Sequence, residues 1–214
     1  MKKMTGKVVL LSCLISLIVS VDVTAQTIER CFIRMPMELL PTLPVNSRKD
    51  LIDFYKNDRI ASMPAALNGT MTLKQLSDDY LLLQTTSQTT LQLKLLPVTD
   101  STNILAVVYS TSGPLTDSRI RFYTTDWKPV TSFKAPVLNA FDFLDTTAAG
   151  PELSNRFNQV CVRLFIRFQL KPGTTTLTAF PSIKEDIPSE LLEPFNTFMK
   201  DSVTVNWQHG GFVK

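Results

Sequence analysis

His209 is the only histidine in the 214-residue chain, so imidazole chemistry has a single place to come from. A hydrolase built on a nucleophile needs a base and an orienting acid within hydrogen-bond reach. His209 stands beside Gly210-Gly211 near the C-terminus, where chains fray, and no Gly-x-Ser-x-Gly turn presents a serine. A surface histidine in a terminal turn is the expected reading, and Cys161, inside a strand-like run, is a poor nucleophile. Paired carboxylates, the machinery of glycoside hydrolysis, have three candidates: Asp78-Asp79, Asp142 with Asp145, and Glu185-Asp186. Adjacent acids at element boundaries more often cap helices or sit solvated in turns. One histidine and two distant cysteines lack the ligand spacing zinc requires. The seven glycines form no phosphate-binding loop. No metal site or cofactor is expected, and the catalytic residues remain unassigned.

Binding surfaces are better supported. Arg119 and Arg121 share one face of a strand-like run, and Arg163 and Arg167 share one face of another. If both faces met one cleft, four guanidiniums would grip carboxylate or sulfate groups. The plainer alternative is a solvated sheet face whose charges discourage aggregation. Trp127 and Trp207 each close a strand, placed either to stack on a sugar or anchor a partner, or to plug the edge of the core.

The N-terminus bears on where such chemistry would happen. Lys2, Lys3 and Lys7 precede the apolar run VVLLSCLISLIVSV, and small residues lead to Gln26, the layout of a secretory signal peptide cleaved after Ala25. The run is shorter than the ~20 residues a membrane-spanning helix needs. Cys13 lies too deep in it for a lipoprotein signal. No later stretch is long and apolar enough to span a membrane. Removing Lys2, Lys3, Lys7 and Asp22 from 22 basic and 19 acidic side chains leaves 19 and 18, a net charge of +1. A near-neutral chain lacks the positive field that collects nucleic acid. Export would also permit a disulfide between Cys31 and Cys161, against the alternative of two separate buried thiols.

Prolines interrupt residues 35–44, leaving room for a single helical turn. A helix is predicted over 47–57, with Ser47 as N-cap, Asp50 in the capping-box position and Leu51, Ile52, Phe54 and Tyr55 as its apolar stripe. Strands follow at 79–86, 90–96, 103–110 and 119–125, joined by turn residues that suit an antiparallel meander. Residues 136–145 are read as a helix and 160–170 as a strand with strict alternation. Next come a strand at 174–180, a helix at 189–200 limited by Pro194, and a strand at 202–207. Asn68-Gly69-Thr70 reads as a turn. The fold class is α+β, antiparallel sheets with a few helices packed on one face. After the leader (1–25), residues 26–130 and 131–214 form either two tandem helix-plus-sheet units or one continuous domain.

The segments MPMELLPTLPVNSRKDLIDFY (35–55), LSDDYLLLQTT (76–86), LKLLP (93–97) and DSRIRFYTTDW (117–127) resemble a family of exported Bacteroidales proteins carrying a domain of unknown function. The resemblance covers nearly the whole chain after the leader. It implies a Gram-negative envelope or secreted protein and names no reaction. It also implies O-glycosylation at Asp-Ser/Thr triplets, here at Ser101, Thr146 and Ser202, all at predicted turns or element ends. The leading expectation is a non-enzymatic exported protein that binds a protein or glycan through a sheet face. The alternative is a periplasmic hydrolase with a carboxylate pair.

Overall fold

Residues 103–110 are apolar at both parities, and the fold uses both. In this computed structural model, which describes residues 27–64, 69–208 and 210–214, they lie in the second of two long central strands. Ile104, Ala106 and Val108 point into one core, Leu105 and Val107 into another. A strand covered on both faces has no reason to alternate polar with apolar residues. The leader, Asn68 and His209 lie outside the described residues.

The larger sheet is a six-stranded antiparallel meander in chain order: β1 (Ser62–Pro64), β2 (Thr70–Leu76), β3 (Tyr80–Gln84), β4 (Thr89–Thr99), β5 (Thr102–Ser112) and β6 (Thr116–Thr124). One face is covered by α1 (Ile28–Arg34) and α2 (Val45–Lys56), whose Ile28, Phe32, Leu51 and Ile52 meet Leu81, Leu93 and Leu105. The other face packs on a four-stranded antiparallel sheet of β7 (Ile166–Leu170), β8 (Thr176–Pro181), β9 (Val203–Gln208) and β10 (Gly211–Val213), in the spatial order β10-β9-β8-β7. The expected α+β class, with antiparallel sheets and accompanying helices, is the class observed. Among the described residues no helix is long and apolar enough to cross a membrane.

Several local expectations are corrected. Helix α2 begins at Val45 after Pro44, and no side chain caps it, so Ser47 and Asp50 form no capping box. Proline at the boundary already sets the backbone for helix entry. Residues 136–145 hold only a 3-10 turn, Ala140–Phe143. The regular helix is α3 (Thr146–Val160), N-capped by the Asp145 carboxylate, broken at Gly150 (φ 75°) and resumed with Pro151. It takes the first residue of the segment read as a strand, Val160, and residues 161–165 form no regular element, so alternation holds only from Ile166 onward, and Val162 is 82% exposed. The 189–200 helix shrinks to α5 (Ser189–Leu192) and a 3-10 turn containing Pro194, with the single-turn α4 (Ile183–Asp186) before it. Helix α1 and strands β1 and β2 were not expected. Their short, broken apolar patterns give little periodicity to read.

A buried cation organises the proline-rich segment. Arg48 has no exposed surface, and its guanidinium donates to the carbonyls of Leu43 (2.9 Å), Phe32 and Ile33 (both 3.4 Å), Leu40 (3.5 Å) and Met35. Phe32 and Ile33 lie in the last turn of α1, whose carbonyls lack helical partners and carry the negative end of the helix dipole. Five donors in a planar fork suit such a carbonyl cage. Burial pushes the Arg48 pKa down from its ordinary value.

The sheets are joined edge to face. Strand β7 pairs only with β8, and side chains of the larger sheet satisfy its other edge. Asp117 accepts the Ile166 N–H (3.3 Å), Ser118 accepts the Phe168 N–H (3.0 Å), and Gln92 accepts the Leu170 N–H (2.9 Å) while donating to the Phe168 carbonyl (2.8 Å). Lys94, 1% exposed, donates to the Lys171 carbonyl at 2.8 Å and pairs with Asp79. Buried backbone groups need such partners, and a capped edge is closed to further strands.

Candidate functional site

Four of the six candidate acids, Asp79, Asp142, Asp145 and Asp186, already have a structural task. Asp79 pairs with Lys94 and accepts the Gly173 N–H at 3.2 Å. Asp142 accepts the Asn139 N–H at 2.8 Å and pairs with Lys214. Asp145 caps α3 through the N–H groups of Thr147 and Ala148, and Asp186 holds Arg163 at 3.0 Å. Burial pushes the Asp79 carboxyl up, but the Lys94 hydrogen bond, the Gly173 N–H and the Lys94 charge outweigh it, leaving the pKa below the ordinary 3.8. A lowered native pKa contributes stability that is fully present above 3.8 and is lost as pH falls through the native value. Replacing Asp79 with Asn should therefore lower Tm at pH 7, with the deficit shrinking steadily below pH 3.8. Thermal unfolding at stepped pH checks this, and a deficit of constant size would disprove it.

Among the described residues, Cys31 and Cys161 are free thiols. Cys31 lies in the core between the helices and the larger sheet, and Cys161 in the core between the sheets. Of the two alternatives, separate buried thiols are observed and the bridge is not, since the larger sheet stands between residues whose Cα atoms would have to approach within about 7 Å. Burial raises both thiol pKa values, to about 11 for Cys31, which suppresses the nucleophilic thiolate.

Both tryptophans are core residues, not exposed platforms. Trp127 donates its indole N–H to the Cys31 carbonyl (2.8 Å) and Trp207 to the Pro97 carbonyl (2.6 Å), and each is 7% exposed. Trp207 stands among Phe122, Phe133 and Phe212 at ring separations of 5.2–5.5 Å. The apolar body fills the core while the one polar atom finds a carbonyl.

The four arginines do not share a cleft. Arg119 and Arg121 share the parity of Tyr123 on β6, which places them on the helix-bearing face of the larger sheet. Arg163 precedes β7, paired with Asp186 and 5.8 Å above the Phe165 ring. Arg167 lies on the outer face of the smaller sheet, opposite in parity to the buried Ile166 and Phe168. Its guanidinium stacks 4.1 Å over the ring of Phe180, directly across the β7–β8 ladder.

Beside that stack opens a cleft of about 280 Å³, walled by Arg167, Phe180, Lys184, Lys200, Glu185 and Asp201. Lys184 is held by Asp201 at 3.1 Å. Ser182 fixes the floor by donating to the Thr116 carbonyl (3.1 Å) and accepting the Thr116 N–H (3.2 Å). The same outer face carries Thr178 and Thr204, hydroxyl to hydroxyl at 3.4 Å, with Asn206 and Gln169. Of the sequence candidates, Arg167 and Glu185 line this cleft. Lys184 and Lys200 were missed because they come from α4 and the loop before β9, which no periodicity ties to β7. Among the described residues no group of three or more His, Cys, Asp or Glu is placed to hold a metal ion. Of the candidate sugar-acceptor residues, Ser101 and Thr146 are exposed and Ser202 is half-buried.

No curated protein matches the chain. A solved structure, that of a domain of an uncharacterized protein from Porphyromonas gingivalis W83, is similar at 27% identity and a TM-score of 0.72, over 86% of this chain and 97% of that one. Residues 20–212 match the family described as "Protein of unknown function (DUF3256)", and the chain belongs to that family.

Proposed function

We propose that the protein is an exported, non-enzymatic binding module that takes the carboxylate or sulfate groups of an acidic envelope glycan over the outer face of its smaller sheet. The Arg167–Phe180 stack carries this reading. A guanidinium pre-oriented on an aromatic ring, with Lys184 and Lys200 around the same cleft, presents planar donors to an anion at little further entropic cost. The hydroxyls and amides of Thr178, Thr204, Asn206 and Gln169 continue this polar face with groups that match sugar hydroxyls. Export is read from the leader, and it would permit O-linked sugars at Ser101, Thr146 or Ser202.

Titration with acidic and neutral oligosaccharides of equal length tests the site. The acidic series should bind more tightly, weaken with added salt, and lose about tenfold in affinity in Arg167→Ala, the loss of one charge-assisted contact. Equal binding of both series, or an unaffected Arg167→Ala, defeats the proposal. The intact mass of the native protein reads the address: a chain that still carries residues 1–25 is not exported this way. One observation favours the alternative hydrolase, the presence of Glu185 and Asp201 in the same cleft. Turnover of an acidic oligosaccharide that disappears in Glu185→Gln would replace binding with hydrolysis.

A further inference from the structure

A second concavity, of about 310 Å³, lies on the helix-bearing side of the larger sheet, between the 36–44 segment and the β3–β4 turn. Leu40, Met71 and Leu91 make its walls apolar. The threonine hydroxyls of the β3–β4 turn are engaged with one another, Thr85 to Thr89 at 2.6 Å and Thr86 to Thr89 at 2.7 Å. Tyr109 also lines the groove, and its phenol is buried without a hydrogen-bond partner among the described residues. Such a buried donor is costly unless something supplies an acceptor. Arg119 stands directly opposite Tyr109 across the β5–β6 ladder, on the same face, and the Arg121 charge acts on the phenol. Neither arginine forms an ion pair among the described residues.

We propose that this groove binds a small amphiphilic carboxylate, its apolar chain lying over Leu40, Met71 and Leu91 and its carboxylate accepting the Tyr109 phenol proton beside Arg119 and Arg121. The parts answer different features of one ligand. Apolar walls favour a hydrocarbon chain, the orphan phenol requires an acceptor, and the two guanidiniums select a negative one. Burial, then the neighbouring Tyr123, raise the Tyr109 pKa to about 12, so the phenol remains a donor across the physiological range. At about 30 Å³ per small non-hydrogen group, the space suits roughly ten such atoms, an eight-carbon acid. The site is separate from the Arg167 cleft, which opens on the other sheet.

Octanoate is the probe, titrated into the protein by calorimetry or by NMR, with octanol and butyrate as controls. Octanoate should bind saturably, with octanol weaker by about tenfold and butyrate, four methylenes shorter, by roughly a hundredfold. Tyr109→Phe should weaken octanoate by about tenfold, the cost of one hydrogen bond to a charged group. Arg119→Gln with Arg121→Gln should reduce the salt dependence of binding. Because the phenol has no partner among the described residues, Tyr109→Phe should melt no lower than the parent protein. The proposal is overturned by absence of saturable octanoate binding, by octanol binding as tightly, or by Tyr109→Phe binding octanoate unchanged. A clear loss of Tm in Tyr109→Phe would overturn it as well, by showing that the phenol serves the fold.

Discussion

Arg48→Met should lower the unfolding free energy by about 3–5 kcal/mol, or roughly 10 °C in Tm for a chain of this size. The side chain has no exposed surface and donates to backbone carbonyls from Phe32 to Leu43. Each carbonyl left without a donor in a buried setting costs about 1–3 kcal/mol. Methionine recovers part of that loss, because an ammonium- or guanidinium-sized charge no longer has to be desolvated. Several orphaned carbonyls outweigh that gain. Arg48→Lys should recover less than half the loss, since a single ammonium cannot span acceptors that converge on a planar fork. Urea unfolding of the three proteins decides the matter. A Met variant within 1 kcal/mol of the parent would mean that water or a relaxed 36–44 segment satisfies those carbonyls instead.

Gln92→Leu should be the next most damaging single change, at about 3 kcal/mol. Its amide is the one group of the larger sheet that both accepts from and donates to the edge of β7, at the Leu170 N–H and the Phe168 carbonyl. It also accepts the Tyr80 hydroxyl at 3.2 Å. Leucine matches its size and leaves three buried polar groups without partners, at about 1–3 kcal/mol each before relaxation. The local signature is sharper than the global one. The Leu170 amide should exchange with solvent at least about a hundredfold faster, while Leu177, inside the β7–β8–β9 ladder, changes only with overall stability. Unaltered exchange at Leu170 would show that another acceptor holds this edge. The two substitutions probe different halves of the molecule. Arg48 fastens the helices to the turns beneath them, and Gln92 fastens one sheet to the other.

The functional readings rest on the same architecture. The Arg167–Phe180 stack exists because β7 and β8 pair in a register that sets those residues opposite each other. The Tyr109 groove exists because the 36–44 segment and the β3–β4 turn approach one another at the end of the larger sheet. Each site therefore depends on a joint made by one of the two buried polar residues discussed above, or lies close to it.

Local chemistry is what the chain announces by itself. The meander from Tyr80 to Thr124 was legible because β-branched and leucine-rich runs are bounded by turn residues, and strand pairing between sequence neighbours follows from that alternation. Helix α2 was legible in outline from Leu51 and Ile52. The family was legible from continuous segments. What only the tertiary structure decided is where charges and parities end up. Arg48 and Lys94 are charged residues, solvated by default, and they are buried here only because carbonyls and a carboxylate from distant segments converge on them. Cys31 and Cys161 carry no mark saying that they enter different cores. Arg119 and Arg167 each sit on a well-defined strand face, but the face another strand turns toward it depends on how two sheets cross. That crossing is set by long-range contacts such as Gln92 to Phe168, and no periodicity of 2 or 3.6 residues encodes it. Pattern reaches as far as one element and its neighbour in sequence, whereas a binding site is made of elements that meet only when the cores close.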